Sequence, residues 1–123
     1  MSTREADIQR LIKEYLEDRG CIVTKLTTLG FYGTKGFPDL AVYMSGHRTW
    51  FMEVKQDGKY PSNIQLYWID RLRKYGFHAD VVTSFEEVKK MFEDRYDGEG
   101  YPRVSHLQGT KPSIKTRKTK GKK

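Results

Sequence analysis

Residues 38–55 read Pro-Asp-Leu-Ala-Val-Tyr-Met-Ser-Gly-His-Arg-Thr-Trp-Phe-Met-Glu-Val-Lys, and this stretch decides the fold. Asp39–Met44 and Arg48–Lys55 are rich in β-branched and aromatic residues, and Ser45-Gly46-His47 between them is a turn signal, so the stretch predicts a β-hairpin. With the turn centred on Gly46, cross-strand partners have residue numbers that sum to 92. Asp39 then lies opposite Glu53 on one face, with roughly 5 Å between Cβ atoms. Lys55 shares that face with Glu53, because strand side chains alternate with a period of two. A slip of one residue would move every side chain to the other face, so the arrangement stands or falls with the register.

Two carboxylates this close repel unless a cation lies between them. A divalent ion held by oxygens, most naturally Mg²⁺, removes the conflict. Beside such an ion Lys55 can orient an attacking water or stabilise charge growing on a phosphate, which together amount to phosphodiester hydrolysis. Plainer readings exist for each piece. A Pro-Asp pair also starts turns, and Glu-x-Lys at a strand end also serves as a solvated edge. Against the edge reading, Trp50, Phe51, Met52 and Val54 mark an interior strand, where Glu53 is costly unless something compensates for it.

Working outward, three segments open on the capping-box pattern Ser-x-x-Glu/Gln: Ser2–Glu5, Ser62–Gln65 and Ser84–Glu87. The spacing predicts helices near 3–19, 62–75 and 85–95, the first two stopping at Gly20 and Gly76. Cys21–Leu29 reads as a strand, Gly30, Gly33 and Gly36 punctuate a loop, and Ala79–Thr83 reads as a last strand. That loop would let a sugar-phosphate backbone approach closely. The order is α-β-β-β-α-β-α, an α/β fold with a small mixed sheet flanked by helices. Glu5 continues the apolar stripe of the first helix, and Gln65 sits just after the loop that follows Lys55. Both are candidates for the site, and both are equally explained as the third residue of a capping box.

The chain has 123 residues and a formal charge of +7. Of its 23 basic residues, seven lie beyond Thr110 (Lys111, Lys115, Arg117, Lys118, Lys120, Lys122 and Lys123) and no acid lies among them. The rest balances 16 basic against 16 acidic residues, so the excess is a separate cationic arm. Such an arm suits contact with a phosphate backbone and needs no fixed structure, although it could equally be a solubilising end. One domain over 1–96, an irregular extension over 97–110 and the arm over 111–123 are expected. One cysteine and three histidines make no zinc site of familiar spacing, so any metal is hard and oxygen-bound. With neither a leader-like start nor a membrane-length apolar run, the expected location is the cytoplasm of a bacterial or phage-infected cell, away from membranes.

Taken together, Glu5-Ala6-Asp7-Ile8-Gln9, Gly36-Phe37-Pro38-Asp39-Leu40, Met52-Glu53-Val54-Lys55 and Ser62-Asn63-Ile64-Gln65-Leu66-Tyr67-Trp68 resemble the virus-type replication-repair nuclease (VRR-NUC) family of the PD-(D/E)xK nuclease superfamily. The resemblance spans roughly residues 3–92, and the Ser-x-x-Gln-x-x-Trp helix is its most specific part. It implies a restriction-endonuclease-like core and Mg²⁺- or Mn²⁺-dependent cleavage of DNA, in particular of junctions, flaps or forks. It implies that Asp39, Glu53 and the Val54 carbonyl ligate metal, that Glu5 completes the set, and that Lys55 is the catalytic lysine. Gln65 would hold the substrate or that lysine. Some such nucleases are homodimers, and a homodimer is a possible partner arrangement here. A binding protein that keeps the fold without cutting is the alternative. A ribonuclease also stays open, because nothing in the sequence reads a 2′-hydroxyl.

Overall fold

The computed structural model describes residues 4–26 and 35–96. Its elements run α1 (Glu5–Asp18), β1 (Ile22–Lys25), β2 (Leu40–Met44), β3 (Arg48–Val54), α2 (Asn63–Lys74), β4 (His78–Val82) and α3 (Phe85–Arg95). This is the expected order. The four strands form one sheet in the order β1-β2-β3-β4, antiparallel except for the parallel β3–β4 pair. A parallel pair needs a crossover, and α2 supplies it.

The hairpin register is the one the turn implies: Leu40 pairs with Met52, Val42 with Trp50 and Met44 with Arg48. Gly46 and His47 both take positive φ, 75° and 62°, which lets so short a turn follow the strand twist. Alternation then sorts β3. Trp50, Met52 and Val54 join Ile8, Ile12 and Leu16 of α1 and Val88 and Phe92 of α3 in one buried core. Phe51 and Glu53 face the other way, toward α2, where Phe37 packs edge-on between Phe51 and Trp68. Phe77 packs against Phe51 on the same side.

Gly20 and Gly76 stop their helices as expected, by identical chemistry. Each takes a positive φ just past the helix, and the next residue's N–H reaches back, Cys21 to Leu16 and Phe77 to Leu72, satisfying carbonyls that the helix leaves open. The first helix does not begin where expected, and Ser2, its expected cap, lies outside the described residues. Helix α1 begins at Glu5 with Arg4 at its cap and no side-chain cap bond, so Glu5 opens the helix instead of closing a box. β1 ends at Lys25, short of the expected Leu29, and residues 27–29 lie outside the described residues. So do Gly30 and Gly33, the extension after Tyr96 and the whole cationic arm. Among the described residues no helix is long and apolar enough to cross a membrane.

Candidate active site

The site forms where β2 begins and β3 ends, under the first turn of α2. Asp39 immediately precedes β2, and the hairpin register carries it opposite Glu53. Asp39 Oδ2 accepts the Val54 N–H at 2.8 Å, which fixes the carboxyl against the end of β3. Glu53 is only 3% exposed. Its Oε2 accepts the Gln65 side-chain N–H at 2.9 Å and lies 4.0 Å from Lys55 Nζ. No group among the described residues donates to its Oε1, which is buried. A buried carboxylate oxygen with no donor is expensive, so this atom calls for a cation or a proton.

The electrostatics agree. Burial pushes the Glu53 carboxyl up to about 8, and the charge of Asp39 and a hydrogen bond shared with it add to the rise, while Lys55 opposes it. Asp39 is also raised, first by burial, with the Val54 N–H and Glu53 pulling it back. At neutral pH the metal-free pair therefore relieves its own repulsion by keeping a proton on Glu53.

Gln65 forms the expected capping box, and its free amide reaches Glu53, not Lys55. Its Oε1 accepts the Ser62 N–H at 2.8 Å while Ser62 Oγ accepts the Gln65 N–H at 3.3 Å, a complete capping box. Its amide N–H is left for Glu53, so one side chain starts α2 and orients the buried acid. Glu5, released from capping, accepts the Gln56 N–H at 3.4 Å just past Lys55, and its charge raises both Asp39 and Glu53. Two of the three acids thus face each other and the third stands beside them. Among the described residues no group of three or more His, Cys, Asp or Glu side chains is already gathered as a cage. The seven basic residues of the arm lie outside the described residues.

The segment that carries Asp39 is pinned by residues whose part the sequence did not disclose. Trp68 Nε1 donates to the Lys35 carbonyl at 2.9 Å, and Gly36 presses on the start of α2. A Cβ at Gly36 would fall 2.8 Å from Ile64 Cγ2 and 3.2 Å from the Gln65 backbone nitrogen, and its φ is +85°. The close approach this glycine permits is to α2. An isolated glycine two residues before the Pro-Asp pair was the available signal.

The donor set (two facing carboxyls, one of them with a buried oxygen that receives no donor, and a neighbouring third acid) is of the kind that fits a hard divalent cation. No protein-family model matches the chain, and no curated protein does. Solved structures do match. One described as "VRR_NUC domain" is 38% identical with a TM-score of 0.67, over 76% of this chain and 99% of that one. Another, "VRR_NUC domain protein", is 19% identical with a TM-score of 0.60, over 76% and 88% of the two chains, and shows the shared fold. A small mixed sheet with its acid pair at the hairpin's open end, and identity of this extent over the whole of a known domain, lead to one assignment: the chain belongs to the VRR-NUC nuclease-domain family.

Proposed function

We propose that this protein is a divalent-metal-dependent endonuclease that hydrolyses phosphodiester bonds in DNA, acting on branched or otherwise structured substrates. One observation carries the reading: Glu53 is buried against Asp39 with an oxygen to which nothing among the described residues donates. Asp39, Glu53 and the Val54 carbonyl would hold the ion, with Glu5 completing the set. Mg²⁺ or Mn²⁺ in that position supplies a Lewis acid that polarises the phosphodiester and makes water nucleophilic near neutral pH.

The chain's own residues do the rest. Gln65 keeps Glu53 from swinging out of line, since its amide is locked at the other end by the Ser62 backbone. Lys55, whose side chain is 18% exposed, brings a positive charge to the mouth of the site, where a transition-state phosphate gains negative charge. A panel of labelled linear, flap, fork and four-way DNAs, incubated with Mg²⁺ or Mn²⁺ and with EDTA as control, tests the reading. Wild type cuts at least one branched substrate in a metal-dependent way, and Lys55→Ala cuts it about 100- to 1,000-fold more slowly. If no DNA is cut with either metal, the chain is a binding protein on a nuclease fold.

The cationic arm is assigned to the phosphate backbone. Deleting residues 111–123 should lower DNA affinity and flatten the plot of log affinity against log salt by several units, about 0.9 for each phosphate that the arm no longer neutralises. An unchanged slope in a titration from low to moderate salt means that the arm takes no part in binding.

A further inference from the structure

Helix α2 and its C-cap residue Tyr75 carry a second row of side chains that the acid pair does not use. Tyr67, Arg71 and Tyr75 recur at four-residue spacing and so stack along one flank. Arg71 bridges the two phenols, donating from Nη1 to Tyr67 Oη at 3.0 Å and from Nη2 to Tyr75 Oη at 3.3 Å. Its guanidinium also lies 5.5 Å from the centre of the Tyr75 ring. Among the described residues its partners are phenols and a ring, not a carboxylate, so its charge is not neutralised. Lys74 nearby is matched by Asp70 at 3.1 Å. The rings of this row are open to solvent, Tyr67 at 48% and Tyr75 at 69%.

The row begins beside the site. Gln65 touches Glu53 two residues before Tyr67, and Ile64 and Trp68, which flank the row, press on Gly36 and Phe37 just ahead of Asp39. From Tyr67 the row runs away from the acids for about 12 Å, at 1.5 Å per residue. Exposed rings with a cation between them match a flat π-surface attached to an anion, which describes a nucleobase on its phosphate. Base pairs inside a duplex are already stacked on one another, so only unpaired bases can use such rings. Helix α2 also exposes Ile64 and Leu66, so a contact between copies of this chain is the competing occupant that the test below separates.

We propose that the Tyr67–Arg71–Tyr75 flank of α2 is a stacking track for about two unpaired nucleotides of the substrate, leading away from the acid pair. The proposal rests on the nuclease reading and would account for a preference for DNA with a single-stranded arm.

The test measures binding of the full chain in EDTA to a fluorescent oligothymidylate and to a blunt duplex, by anisotropy. The double variant Tyr67→Ala/Tyr75→Ala should bind the oligothymidylate about 10-fold more weakly or worse, with duplex affinity changed by less than about 2-fold. Tyr67→Phe/Tyr75→Phe keeps the rings and should stay close to wild type. Tyr75→Ala alone should show a smaller loss in the same direction. Equal losses on both ligands, or no loss, overturn the track. So does a wild-type dimer that the double alanine variant dissociates without losing single-strand binding, since the row would then be a contact between copies. Selective loss of single-strand binding in a protein that cuts no DNA would uphold the track and refute the nuclease reading.

Discussion

Glu53→Gln is expected to slow cleavage by about 1,000-fold and, at the same time, to stabilise the metal-free protein at pH 8. The glutamine fits the hydrogen bonds already present. Its carbonyl accepts from Gln65 as Glu53 Oε2 does, and its amide donates toward Asp39, whose other oxygen is held by the Val54 N–H. What it removes is the negative charge that the proposed metal would need. The sign of the stability effect follows from titration. The folded-state value of Glu53, about 8, lies above its ordinary 4.5. Its contribution is therefore complete below about 4.5 and is lost as pH rises toward 8, because the unfolded chain gives up this proton first. Glutamine keeps the neutral arrangement at every pH. At pH 8 in EDTA the variant should gain on the order of 1–3 kcal/mol, visible as a melting temperature several degrees higher, with the gap closing toward pH 5. A variant that melts below wild type at pH 8 would show that the acid pair stores no repulsion.

Asp80→Ala should have the largest effect on folding. Asp80 is buried at 7% exposure on the edge strand β4, where it gathers three donors from three elements. Trp50 Nε1 of β3 donates to it at 2.8 Å, Arg95 of α3 at 2.8 Å and Arg73 of α2 at 3.1 Å. Burial on its own would raise this carboxyl, but the Arg95 hydrogen bonds, with Trp50 and Arg73, outweigh it and hold Asp80 below its ordinary range. Removing the acid leaves the fully buried Trp50 N–H without its acceptor and takes a carboxylate from two partly exposed guanidinium groups, of which Arg73 keeps the Ala79 carbonyl. Leaving a buried donor unsatisfied costs about 1–3 kcal/mol, and the lost bonds to the partly exposed arginines add to it, out of the roughly 5–15 kcal/mol that holds a small domain together. Urea titration should show the midpoint falling by a large fraction, and Asp80→Asn, which still offers Trp50 an oxygen, should lose clearly less. Because the folded value is depressed, the contribution of Asp80 is present above about 3.8 and is lost as pH falls through the lower folded value. Equal stability of Asp80→Ala and wild type at pH 7 would refute the role given to this cluster.

Much of this is legible in the residues alone. Element order follows from period and from Gly20, Gly46 and Gly76, whose conformational demands are local. The Asp39–Glu53 juxtaposition follows from one turn, because a hairpin's register is set by its centre. What stays hidden is of another kind. Ser2–Glu5 has the composition of a capping box, yet α1 opens at Glu5, whose carboxylate goes to the Gln56 N–H across the sheet's end. A local pattern gives way to a tertiary partner that no window of sequence contains. Asp80 stands inside the apolar stretch Ala79–Thr83, and the rule that an acid in such a strand needs compensation covers it as it covers Glu53. Its partners come from positions 50, 73 and 95, and only the fold brings them together. The dual engagement of Gln65 is half visible, as a cap, and the other half requires α2 to be placed over β3.

The facing acids belong to a single hairpin, whereas the elements that bury them, α2 and the parallel strand β4, join later in the chain. Short-range contacts form at little entropic cost, and parallel pairing must wait for its crossover. The like charges therefore meet while water still screens them, and the cost of desolvating them arises when α2 settles over the hairpin. Where that settling follows the rate-limiting step, the cost belongs to the native state alone. Relieving it with a cation or an amide should then lengthen the lifetime of the folded protein while leaving the speed of refolding nearly unchanged.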